Sequence, residues 1–145
     1  VQNIADGLIK IDPANRDHYI ANRDAYVSEL KQLDKDIREE LSDMDSRTFM
    51  VYHSAFSYFA AEYGLTQLAI TREGKEPTPA GLQYLIEQAR EHNIKVIFVE
   101  PQFNPQSAAV IAEEIGGEVI SIDPLARDYV NNIRDMVAKL RVAME

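Results

Sequence analysis

The chain has 145 residues, 46% of them apolar, and its 24 acidic and 15 basic side chains give a net charge of −9, a profile that describes one globular domain. The lysines and arginines are scattered rather than clustered, so there is no basic face to neutralise nucleic-acid phosphates, and a cation suits this chain better as a partner. No apolar run approaches the ~20 residues that span a bilayer, and without cysteine disulfides, thiolate zinc sites and cysteine nucleophiles are excluded, leaving oxygen and imidazole as metal ligands.

Val1 is not an initiator, and Ile4, Leu8 and Ile11 already fall at helical spacing with no capping residue ahead of them. The chain is therefore expected to enter this helix partway, as an excised or processed fragment would. Asp12-Pro13 interrupts it, with Asp12 suited to cap and Pro13 to open the helix that follows. Tyr19, Tyr26, Leu30, Leu33, Ile37 and Leu41 recur at helical steps, which predicts a long backbone helix from about residue 14 to residue 41, roughly 40 Å in length.

From Thr48 the pattern changes to short continuous apolar runs: Phe49 to Tyr52, Leu68 to Ile70, Val96 to Val99 and Val119 to Ile122. Such runs are expected of parallel strands buried on both faces. Between them lie three helical patterns, carried by Phe56, Phe59, Ala60 and Tyr63, by Leu82, Leu85, Ile86 and Ala89, and by Ala108, Ile111, Ala112 and Ile115. Gly64, Thr78-Pro79, Asn93, Asn104-Pro105 and Gly116-Gly117 mark their ends, and a last helix carries Tyr129, Ile133, Met136, Val137 and Leu140. The expected fold is α/β, a three-layer sandwich with a four-stranded parallel sheet flanked by helices and preceded by a long backbone helix. Residues 1–45 form the linking-helix region of this reading and residues 46–145 the compact α/β lobe.

In open parallel sheets, ligands bind beyond the carboxyl ends of the strands. The polar residues there are His53, Arg72 with Glu73, Glu100 and Asp123. Imidazole and carboxylates converging on one rim suit zinc or manganese, yet two or three ligands are too few for a closed zinc site, so another chain segment would have to complete it. Each residue also has a plainer reading. Asp123-Pro124 repeats Asp12-Pro13, so Asp123 could cap the final helix. Glu100-Pro101 could be an ordinary strand exit, Arg72-Glu73 a surface turn leading to Gly74, and His53 a hydrogen bonder at the core edge. His18 on the long helix and His92 beside Asn93 read as structural or solvent-facing. There is no G-x-S-x-G elbow, phosphate-binding loop or G-x-G-x-x-G. A triad of His53, Asp123 and Ser54 is disfavoured because adjacent residues at a turn rarely aim at each other. The chain is accordingly read as a binding module and not as an enzyme.

Specific strings carry more than composition. His53-Ser54-Ala55-Phe56-Ser57-Tyr58-Phe59-Ala60-Ala61-Glu62-Tyr63-Gly64-Leu65 resembles the H-x-A-F-x-Y-F-A-x-x-Y-G-L signature of the metal-binding solute-binding proteins of ABC transporters, the zinc- and manganese-uptake family that includes lipoproteins and adhesins. Glu76-Pro77-Thr78-Pro79, Val99-Glu100-Pro101-Gln102 and Asp123-Pro124-Leu125 follow in the family's order, and Asp12 to Leu33 resembles the start of its interlobe helix. The resemblance implies two α/β lobes joined by a long helix, with metal held between them by about four side chains, two from each lobe.

By this resemblance His53 and Asp123 are the two metal ligands of the carboxyl-terminal lobe, and Glu100 is a nearby carboxylate that orients them. Histidine at position 53 tilts the preference toward zinc, with manganese as the alternative. The 145 residues would correspond to the carboxyl-terminal lobe with the linking helix. The amino-terminal lobe with two further histidines, and a leader with a lipid-bearing cysteine, are expected in a longer parent, periplasmic or extracellular and membrane-anchored. Its partners would be the metal ion, the missing lobe and an ABC permease, and the isolated fragment could form a homo-oligomer. Ligation needs a neutral imidazole, so metal binding is expected to weaken below about pH 6, where histidine side chains ordinarily protonate. The alternative is a non-catalytic interaction or scaffold lobe that binds no metal alone, its sheet rim and long helix serving as surfaces for a missing lobe, a permease or another copy, with stripe residues such as Tyr19, Tyr26 or Ile4 driving self-association.

Overall fold

The computed structural model describes residues 1–104 and 106–144. Pro105, expected to open a helix with Asn104, lies outside the described residues. The chain divides into two compact units, Val1–Glu39 and Glu40–Glu145. None of the described helices is long and apolar enough to cross a membrane.

In the first unit, α1 (Gln2–Ile11) is followed by a single 3-10 turn, Pro13–Asn15, and then by α2 (Arg16–Glu40). Lys10 in the last turn of α1 suits the negative end of the helix dipole. Asp12 does not cap the backbone as the Asp-Pro pair suggests. Its Oδ2 instead accepts hydrogen bonds from Asn15 Nδ2 and the Tyr19 hydroxyl, both at 2.8 Å. Those two bonds hold the Asp12 carboxyl below the usual carboxylate range. The 25 residues of α2 span roughly 38 Å. Its apolar stripe is buried only toward the end, at Leu33 and Ile37. Ile4 (68% exposed), Leu8 and Tyr26 are open to solvent, and together with Val1, Ala5 and Tyr19 they line an apolar groove of about 440 Å³.

The second unit is built on β1 (Thr48–Val51), β2 (Thr66–Ala69), β3 (Val96–Val99) and β4 (Glu118–Ser121). All pairings are parallel and the strand order is β2-β1-β3-β4. Apolar runs without alternation produce this arrangement because helices cover both faces of a parallel sheet. The four runs differ in one respect from the expectation of burial on both faces. All of β3 and nearly all of β1 is buried, whereas the edge strand β2 is mostly half-buried and the edge strand β4 largely open. Tyr52, Ile70 and Ile122, expected within strands, lie just beyond them.

Met50, Tyr52, Ile97 and Val99 pack with Ala89, Ala108, Ile111 and Ala112 on one face of the sheet. These last four come from α4 (Pro79–Glu91) and α5 (Gln106–Ile115). Phe49, Val51 and Phe98, also fully buried, alternate with the first set and so point to the opposite face. There α6 (Tyr129–Met144) contacts β1 and buries Val130, Met136, Val137 and Leu140. The crossover from β1 to β2 carries only a six-residue helix, α3 (Ser57–Glu62). Thr78 caps α4, its hydroxyl accepting the Gly81 N–H at 3.2 Å with Pro79 in the first turn.

Gly116 and Gly117 join α5 to β4 for two different reasons. Gly116 takes φ +62° to close the helix. At Gly117 an added Cβ would lie 2.1 Å from the Lys95 carbonyl oxygen, the atom that accepts the first N–H of β4, from Glu118, at 2.8 Å. Backbone atoms cannot rotate away as a side chain can. Gly117→Ala is therefore expected to destabilise the fold by about 3 kcal/mol, the upper end for overpacking, against about 1 kcal/mol for Gly116→Ala, whose cost is left-handed backbone strain alone. Urea midpoints of the two variants measure the difference.

Candidate metal centre

The strand order reverses between β1 and β3, because the chain runs outward from β1 to β2 on one side and through β3 to β4 on the other. The crevice beyond the carboxyl ends of strands flanking such a reversal is where ligands bind in open α/β sheets. His53 stands two residues beyond β1, Glu100 immediately beyond β3, and Asp123 two residues beyond β4. Parallel pairing continues past the formal strand ends: Tyr52 N–H donates to Phe98 O at 2.7 Å, Thr71 N–H to Tyr52 O at 2.9 Å, and Ile122 N–H to Val99 O at 3.0 Å. The rim residues thus leave from backbone that the sheet still holds.

His53 is half-buried. Its carbonyl accepts the Ala55 N–H at 2.8 Å, turning the chain toward α3. The ring Nδ1 lies 3.4 Å from Thr71 Oγ1, and the Phe103 ring lies against it with centroids 5.2 Å apart at 37°. Phe103 is itself placed by a turn in which its N–H donates to Glu100 O at 3.1 Å.

Glu100 is 1% exposed, and neither carboxylate oxygen has a hydrogen-bond partner among the described residues. Burial pushes its carboxyl above the usual range. The nearby N–H groups of Glu100 itself and of His53, and the His53 ring, pull in the other direction, but neither N–H reaches hydrogen-bonding geometry. Burial prevails, and His53 and Glu100 stand close enough to influence each other electrostatically.

Asp123 does not cap the last helix. Asp128 does, its Oδ1 accepting the Asn131 N–H at 3.3 Å. Asp123 Oδ1 instead accepts from the Leu125 N–H and from Gln102 Nε2, both at 2.9 Å. These two bonds, Gln102 first, keep the carboxylate ionised below the usual range. Both fall on Oδ1, so Oδ2 remains for an outside partner. Because β3 lies between β1 and β4, the exits carrying His53 and Asp123 are two strand spacings, about 10 Å, apart across the sheet. Among the described residues, no three His, Cys, Asp or Glu side chains come together closely enough to hold a metal ion.

Arg72 and Glu73 stay outside this group. Glu73 and Gly74 form a two-residue turn, with φ +51° and +73°, and the flanking Arg72 and Lys75 exchange backbone hydrogen bonds of 3.2 and 2.9 Å. His18 is exposed and within 3.0 Å of Asn22 Nδ2, and His92 caps the carboxyl end of α4.

Thr71 and Phe103 carry no signal of their own in the sequence and look ordinary until the sheet brings them to His53, while Gln102 is visible only as the end of the Val99-to-Gln102 string, with no hint that it bonds Asp123. Beside them, the Tyr52 hydroxyl donates to Glu76, whose other oxygen accepts from Ser107 Oγ at 2.7 Å. The bond to Glu76 pushes the Tyr52 hydroxyl up to about 12. This clamp ties the loop before α4 to the exit of β1 and the start of α5.

Imidazole nitrogen and ionised carboxylate oxygen are both donor types that zinc and manganese accept. Residues 1–143 match the family model described as "Zinc-uptake complex component A periplasmic". The chain belongs to the ZnuA family. It is 36% identical over 127 residues to the high-affinity zinc uptake system protein ZnuA of Bacillus subtilis, covering 86% of this chain and 40% of that protein. It is 31% identical over 157 aligned positions to the zinc-binding protein AdcA of Streptococcus pyogenes, covering all of this chain and 30% of that protein. A crystal structure of a ZnuA superposes with TM-score 0.97 at 39% identity, over 99% of this chain and 55% of that one. The ZnuA-family chain thus spans less than half the length of these curated relatives, and its α/β fold with a four-stranded parallel sheet is that of solved ZnuA structures. The family is one of solute-binding transport proteins.

Proposed function

We propose that this chain is the carboxyl-terminal metal-binding part of a periplasmic or surface-anchored solute-binding protein that delivers zinc to an ABC permease. His53 supplies a neutral imidazole nitrogen, Asp123 a carboxylate oxygen, and Glu100 a buried charge beside the imidazole. Manganese is the alternative cargo, disfavoured because imidazole is the softer ligand. The observation that supports the reading is that His53 and Asp123 both follow the carboxyl ends of parallel strands, β1 and β4, with Asp123 ionised and, among the described residues, both of its hydrogen bonds on Oδ1. Only two ligands means that a bound ion keeps water or takes further ligands from a second lobe, since zinc completes a set of four. The net charge of −9 draws cations toward the surface.

Calorimetric titration with Zn(II) tests the assignment. Asp123→Ala is expected to lower zinc affinity about 10-fold or more, whereas Asp128→Ala, which removes a helix cap, leaves it unchanged. Equal affinities for Asp123→Ala and the parent chain would remove Asp123 from the site.

A further inference from the structure

We propose that Thr71 is a positioning residue for the metal site: its hydroxyl selects the His53 tautomer that leaves the Nε2 lone pair for a metal ion. The proposal rests on the reading of His53 as a zinc ligand. Thr71 stands two residues beyond β2 and is 5% exposed. Its N–H donates to the Tyr52 carbonyl at 2.9 Å, and its hydroxyl donates to the same oxygen at 3.1 Å. A hydroxyl has one hydrogen. With that hydrogen directed at Tyr52 O, the remaining face of Oγ1 offers only lone pairs, and His53 Nδ1 at 3.4 Å is the donor. An imidazole protonated on Nδ1 carries its free lone pair on Nε2.

The opposite assignment, with Thr71 donating to Nδ1, would place the proton on Nε2 and block that nitrogen. The shorter contact to Tyr52 O and the carbonyl's inability to donate decide against it. The β-branched Thr71 side chain has few rotamers, and the Phe103 ring on one face of His53 restrains ring rotation. The neutral tautomer and the orientation are therefore set before an ion arrives, as outer hydrogen bonds do for metal-ligating histidines.

The test uses the ¹⁵N-labelled, metal-free 145-residue chain at a pH where histidines are neutral. The imidazole nitrogens are read by NMR, and His53 is assigned by its loss in His53→Gln. His53 is expected to show a protonated Nδ1 and an unprotonated Nε2. Thr71→Val is expected to shift the population toward Nε2–H and to weaken Zn(II) binding about 10-fold, and Thr71→Ser, which keeps the hydroxyl, to retain both properties. A protonated Nε2 in the parent chain overturns the proposal, as does an unchanged tautomer in a folded Thr71→Val. If the valine variant does not fold, the parent and serine spectra decide. A tautomer that responds as expected while Zn(II) leaves the His53 nitrogens unmoved would mean that His53 is not a ligand. In that case the hydrogen bond stands and Thr71's role in metal capture falls.

Discussion

Replacing His53 by alanine is expected to lower the chain's affinity for zinc by on the order of 100-fold or more, beyond the 10–100-fold cost of disturbing an outer hydrogen-bond partner. The expectation follows from the small ligand set. On the proposed assignment of His53 and Asp123 as the ligands, loss of the imidazole leaves Asp123 alone, and a single carboxylate scarcely competes with water for the ion. The fold should survive, because His53 is half-buried at a strand exit and belongs to neither face of the core. His18→Ala and His92→Ala supply the controls. His18 lies in the other compact unit and His92 at the opposite end of the sheet from the rim, so neither substitution should change the titration. Competition with a chelating dye, read beside far-ultraviolet circular dichroism to check folding, separates lost ligation from lost structure.

Glu100→Gln is expected to stabilise the protein at pH 8 while weakening zinc binding. The carboxylate is 1% exposed without a hydrogen bond from any described residue, and burial of an unpaired charge opposes folding. Burial raises the folded-state pKa above the ordinary glutamate range, so the folded chain holds the proton more tightly than the unfolded chain. The stabilisation that the protonated acid provides is complete below the unfolded value and is lost as pH rises through the folded one. At pH 8 glutamine therefore removes a destabilising charge, and the thermal midpoint should rise by roughly 4 °C or more, the shift that about 1 kcal/mol produces near 100 residues. At pH 4 both side chains are neutral and the gain should vanish. The same charge beside His53 favours a bound cation, so zinc affinity should fall about 10-fold. Equal midpoints at pH 8 would show that the carboxylate is satisfied in the folded protein.

Much of this fold is legible in the sequence, because continuous apolar runs such as Val96 to Val99 leave no face for water and so announce a buried parallel sheet. The polar residue ending each run then locates the rim, which brings His53, Glu100 and Asp123 into view before any coordinates. Local chemistry misleads where two geometries share one dipeptide. Asp12-Pro13 and Asp123-Pro124 both look like helix openings, yet Asp12 reaches Asn15 and Tyr19 while Asp123 closes a turn onto Leu125. Capping is decided by where the helix starts, and the last helix starts at Tyr129 behind Asp128. Edge position is likewise set by strand order and not by composition, so β2 and β4 read as more buried than they are. Thr71 is silent for a related reason. A threonine after a strand has ordinary β propensity, and only the parallel register beside β1 puts its hydroxyl near His53.

The central claim is that this rim binds zinc through His53. Zinc K-edge X-ray absorption of the chain loaded with one equivalent of Zn(II) tests it most directly. The spectrum is expected to show one imidazole ligand with oxygen ligands filling the other positions, and the imidazole signal is expected to be lost in His53→Ala. Oxygen ligands alone in the parent chain, or an imidazole signal that persists without His53, would contradict it.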